Sequence, residues 1–107
     1  MSSKAIAYLQ LTSLESFVDE LKRRGLYEAR LSEWVQRREM FERRKFRLTA
    51  LDPYHGLIMR YETTYYQGLA EPELEQFKRL KDEAKKQLIG KLQAEGITVL
   101  EGEYHAA

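Results

Sequence analysis

The chain has no cysteine, and only two histidines, two prolines and one tryptophan in 107 residues. The missing thiols exclude a disulfide scaffold, thiol catalysis and cysteine-ligated zinc, and they fit a reducing compartment. No apolar run approaches the roughly 18–20 residues that a helix needs to cross a bilayer. Met1-Ser2-Ser3-Lys4 leads into a short apolar stretch without the layout of a signal peptide. The expected setting is therefore cytoplasmic, with no membrane partner. Also lacking are a glycine-rich phosphate loop, a nucleophile elbow and a cluster of metal-ligating residues. Asp52 with His55 is the one candidate acid/base or metal pair, and turn chemistry accounts for both residues. His105 falls in a tail expected to fray. No catalytic residue, metal or cofactor is expected, and the chain reads as a non-enzyme.

What is present is 43% apolar and 33% charged sequence, the balance of a globular domain. One domain, residues 1–107, is long enough to bury a single core without staples. Phe46–Tyr66 organises it. Phe46, Leu48 and Ala50 alternate on one side of the first arm, and Leu57, Met59 and Tyr61 alternate on the other arm, the period of half-buried strands. Between the arms, Asp52 can accept backbone hydrogen bonds, Pro53 pre-sets φ and Gly56 tolerates positive φ. A four-residue loop, Pro53 to Gly56, sets Ala50 against Met59, Leu48 against Tyr61 and Arg47 against Glu62. The apolar residues then share one face. A five-residue loop would mix the faces, so the shorter loop is expected.

Earlier in the chain, Lys4–Leu11 reads as a strand, apolar on both faces and so expected to be central. A helix follows. Thr12-Ser13-Leu14-Glu15 has capping-box spacing with Thr12 as the cap, and Leu14, Phe17, Val18 and Leu21 form a stripe. Gly25 supplies its left-handed end. Residues 27–40 can be read as strand or helix, and the strand is expected because a helix has just ended and a hairpin follows. Gly68 is expected to break the strand that follows the hairpin. A second helix starts at Pro72, with Leu74, Phe77, Leu80, Ala84, Leu88 and Leu92 as its stripe. Gly90 suggests a bend or close packing, and Gly96 ends the helix. Ile97–Tyr104 reads as the last strand. Together these predict an α+β fold: a mainly antiparallel sheet of four to five strands with two helices on one face, a ferredoxin-like (split βαβ) variant.

The net charge of +1 conceals an asymmetry. Residues 22–47 carry a net +6, and Arg37, Arg38, Arg43, Arg44, Lys45 and Arg47 crowd the expected hairpin tip. Such a run interleaved with Phe41 and Phe46 is a candidate RNA- or DNA-binding surface. The sheet face away from the helices is expected to carry Trp34, Leu51, Ile58 and Tyr66, too apolar to stay wet. Self-association through that face is the leading expectation, giving a small interaction or assembly module that is a homo-oligomer. Nucleic-acid binding by residues 37–47 is the alternative, and a small enzyme with a pocket on the sheet face the third.

Overall fold

In the computed structural model, which describes residues 7–70 and 73–106, the chain forms five strands and two helices. They run β1 (Ala7–Gln10), α1 (Leu14–Arg23), β2 (Glu28–Arg38), β3 (Phe41–Asp52), β4 (Leu57–Leu69), α2 (Leu74–Ala94) and β5 (Thr98–Glu101). The β3–β4 hairpin has the four-residue loop, with Ala50 opposite Met59, Leu48 opposite Tyr61 and Arg47 opposite Glu62. Residues 28–38 are strand rather than helix, antiparallel to β3.

The strand order is β1-β4-β3-β2-β5. β2, β3 and β4 form an antiparallel meander, while β1 runs parallel to β4 and β5 parallel to β2. The sheet is therefore mixed, and the ferredoxin-like expectation fits only in part. Each helix does carry the chain across two intervening strands, the split βαβ device. Once the meander occupies the middle, however, the strands that the helices deliver can add only at its edges. This corrects the placing of the first strand: β1 is an edge of four residues, and Tyr8 on it is more than one-third exposed.

Both helices lie on one face. Phe17 and Leu21 of α1 and Leu88 and Leu92 of α2 bury against Ala29, Leu31, Phe46, Leu48, Ala50 and Met59 of the sheet, with Ile97 beside them. Burying each of these large side chains contributes about 1.5–3 kcal/mol, which makes this cluster the main store of stability. α1 begins one residue later than its capping pattern suggests. Ser13 is the N-cap, and it exchanges hydrogen bonds with Ser16 at 3.0 and 3.2 Å. The serine hydroxyl at the third helical position does the work expected of Glu15. Both helices end alike: Gly25 (φ +69°) and Gly96 (φ +77°) turn the chain, and Leu26 and Ile97 donate back to Leu21 and Leu92 at 2.8 and 3.0 Å.

α2 begins at Leu74, and Pro72 lies outside the described residues. Leu74 and Leu80, read as part of its apolar stripe, are exposed, because the helix reaches the core only further along, at Leu88 and Leu92. No atom outside the helix approaches the place where a Cβ would stand on Gly90, so the glycine answers to no close packing. β4 does not break at Gly68 but runs on to Leu69. Its irregularity is a bulge at Tyr65, between the Arg44–Tyr66 and Lys45–Thr64 pairs. An inserted residue inverts the alternation beyond it. Tyr65 stacks on Phe46 at 4.3 Å, and Tyr66 meets Phe77 of α2 edge-on at 5.7 Å.

Candidate functional site

Beyond Leu31 and Arg60 the meander has no neighbouring strand among the described residues, and its three strands project as a tip. The molecule measures 47 × 30 × 21 Å as a result. Strand alternation divides the tip's charges between two faces. On the helix side, Glu42 is fully buried and accepts from Arg37 and Arg44, each at 3.0 Å. The Arg44 guanidinium lies 4.3 Å above the Phe77 ring. Glu33 takes Lys81 of α2 at 2.6 Å and the Tyr65 hydroxyl, which pins the helix to the tip. The hydrogen bond from Arg44 lowers the pKa of Glu42 against burial, with Arg37 adding to it. Arg37 and Arg44 therefore neutralise a buried carboxylate and are committed to structure.

The other four basic residues face away from the helices. Arg38 and Arg43 line a depression of about 270 Å³ with Gln36 and Phe41. Neither arginine has a carboxylate within 4.0 Å among the described residues, and the Nε of Arg43 is buried without a hydrogen-bond partner there. Next along the sheet stands Trp34, with Lys45 5.3 Å and Arg47 5.7 Å from its ring centre. Arg47 also reaches Glu62 at 3.2 Å, and Lys45 stands 4.0 Å from the same carboxylate. The result is a row of cations and aromatic rings, with free positive charge at its outer end.

Of the apolar residues expected on this face, Trp34, Leu51 and Ile58 lie on it, spread along its length, and Tyr66 does not. Trp34 is present and 36% exposed, but Tyr66 is turned to α2 by the bulge. Leu51 and Ile58 pair at the opposite end of the hairpin, and Ile58 is fully buried although it lies outside the main core. Residues 102–106 cross the same face. Instead of continuing β5, they turn across the sheet: the Tyr104 amide donates to Thr49 Oγ1 at 3.0 Å and the Ala106 amide to the Tyr8 hydroxyl at 2.9 Å. The expected strand thus stops at Glu101, and His105 sits in an anchored segment, 3.3 Å from Glu103.

Arg30, Ser32 and Tyr8 belong to the same face and escaped the sequence reading, whereas Arg60 pairs there with Thr49 as the four-residue loop predicts. Alternation outward from Trp34 would have found Arg30 and Ser32. Tyr8 needed knowledge that β1 lies beside β4, with the Arg60 guanidinium 4.5 Å above its ring. Asp52 and His55 meet at 2.7 Å, but Asp52 also accepts the amides of Tyr54 and His55 and the Arg24 side chain. That bonding pattern orders the turn and ties it to α1. No protein-family model, curated protein or solved structure matches the chain.

Proposed function

We propose that the chain is a nucleic-acid-binding module that takes a single strand along the open face of the tip. The observation that carries this reading is the row Arg38, Arg43, Phe41, Gln36, Trp34 and Lys45, whose two outermost arginines have no carboxylate partner among the described residues. Rings that present a face to solvent stack on bases of any sequence, and arginine forks suit phosphate oxygens. Gln36, beside Phe41, offers an amide to the edge of a stacked base. Of the six basic residues of the tip, Arg38, Arg43 and Lys45 take the binding role, Arg47 is held by Glu62 and Glu103, and Arg37 and Arg44 hold the tip together.

The test is a titration of Trp34 fluorescence with a single-stranded oligonucleotide at several salt concentrations. Three phosphate contacts, at about 0.7 each on a single strand, give a log–log salt slope near −2. Arg38→Glu with Arg43→Glu removes most of that slope if the reading holds. A salt-independent titration, or a double variant that binds like wild type, rejects it.

Self-association is the second reading, and one observation favours it. The outer edges of β2 beyond Leu31 and β4 beyond Arg60 are unpaired among the described residues, and open strand edges invite a second chain. Light scattering over a concentration series distinguishes the two, since edge pairing raises the mass without any nucleic acid.

A further inference from the structure

Residues 102–106 cross the open face on polar contacts. Gly102 (φ +116°) makes the turn, its amide donating to the carbonyl of Leu31 at 3.0 Å. Glu103 then accepts from Ser32 Oγ at 2.8 Å and Arg47 Nη1 at 3.2 Å. The Tyr104 ring lies 4.5 Å beneath the Arg30 guanidinium, and its hydroxyl donates to Glu28 at 2.9 Å. The Ala106 amide ends the crossing on the Tyr8 hydroxyl. Each such bond contributes about 0.5–1.5 kcal/mol net, and no side chain of this segment enters the main core. A segment held in this way opens at a low free-energy cost compared with the helices.

The chemistry of the crossing repeats that of the tip. A carboxylate rests on an arginine and a serine hydroxyl, and a flat ring lies against a guanidinium. These are the partners that the face would give a phosphate and a base. Arg30 and Arg47 keep their Nε atoms buried and without hydrogen-bond partners among the described residues even with the segment in place. On the same face of β2, Arg38 stands eight residues from Arg30, roughly 26 Å at 3.3 Å per residue. The row of cations and rings thus runs from the tip pocket past Trp34 to Arg47 and Arg30, and its inner half lies under residues 102–106.

Building on the single-strand reading, we infer that residues 102–106 are a displaceable strap. Glu103 holds the place of a phosphate and Tyr104 that of a base, on a second subsite that a longer single strand occupies by pushing the strap aside. A short strand binds at the tip alone. A long one competes with the strap and meets Arg47, Ser32, Arg30 and Thr49.

The experiment compares wild type with Glu103→Gln and, separately, Tyr104→Gly, each titrated with an oligothymidylate trinucleotide and dodecanucleotide. Expected are a three- to tenfold gain in dodecanucleotide affinity for both variants and an unchanged trinucleotide affinity. Amide exchange on wild type gives an independent readout: saturating dodecanucleotide speeds exchange at Tyr104 and Ala106, and the trinucleotide does not. Dodecanucleotide affinity unchanged in both variants, with strap amides still protected, overturns the strap. An equal gain for both oligonucleotides also overturns it, since a general charge effect then suffices. Equal release of the strap by polyglutamate assigns the subsite to acidic peptides and rejects the inference. If neither oligonucleotide binds any of the proteins, the single-strand reading falls and the strap falls with it. Trinucleotide binding together with a bound dodecanucleotide that leaves the strap amides protected removes the strap alone.

Discussion

Asp52 at the end of β3 and Arg24 at the end of α1 form an ion pair at 2.8 Å, joining residues 28 positions apart. Burial raises the pKa of the Asp52 carboxyl, but the hydrogen bonds from Arg24 and His55 outweigh it and hold the group at about 2. A folded-state pKa below the ordinary value contributes stability that is present above about pH 4. It is lost as pH falls towards 2. The contribution is on the order of 2 kcal/mol. Urea unfolding followed from pH 5 to pH 2 should show wild type weakening through this window. Asp52→Asn should be weaker at pH 5 and flatter below it. A variant whose acid limb matches that of wild type would show that the pair contributes nothing.

Gly90 occupies an exposed position in α2 with open space where a Cβ would point. Gly90→Ala is expected to stabilise the protein by about 0.5–1 kcal/mol through helix propensity alone. Thermal melts read this as a rise in Tm, and a fall would reveal a packing demand at that site.

Trp34 and Ile58 share the sheet face away from the helices, but Trp34 stands towards the tip and Ile58 at the opposite end of the hairpin, where it is fully buried. Ile58 is fully buried, so Ile58→Glu buries a charge and should lower Tm sharply, with no specific effect on mass. Trp34→Glu should leave the melting curve nearly unchanged and abolish oligonucleotide binding. Matching Tm losses for the two variants would contradict this division.

Stacking of a base on an aromatic side chain contributes about 1–3 kcal/mol by alanine substitution, and the proposed function gives Trp34 that role. Trp34→Ala should therefore weaken oligonucleotide binding by roughly 5- to 160-fold, and Trp34→Phe by much less. Anisotropy of a labelled oligonucleotide measures both. Equal losses in the two variants would point to the shape of the tryptophan rather than to its aromatic face.

Much of this architecture is legible because alternation is a local property. Phe46, Leu48, Ala50, Met59 and Tyr61 declare their face within one hairpin, and Arg47 opposite Glu62 follows from the loop length. The order of the outer strands is not local. Lys4–Leu11 looks central by composition, and only the pairing of Ala7 with Leu57 reveals an edge. The fate of Tyr66 hinges on one inserted residue, which no propensity announces. Residues 102–104 read as strand because Glu103 and Tyr104 alternate properly, and their partners Arg47, Ser32 and Thr49 lie more than fifty positions away. The site divides likewise. Its cations are visible in the sequence, but the burial of Glu42 that claims Arg37 and Arg44 is not.

The interleaved crossovers also order events in time. β1 has no partner until β4 exists, some fifty residues later, and α2 must pass over β3 and β2 before β5 can dock. Contacts this distant in sequence make for slow folding, and the β2–β3–β4 meander is the one part built from neighbours. The meander therefore forms early and the two short outer strands zip on late. Destabilising changes at Leu48 should slow refolding, whereas changes in β1 or β5 should mainly speed unfolding.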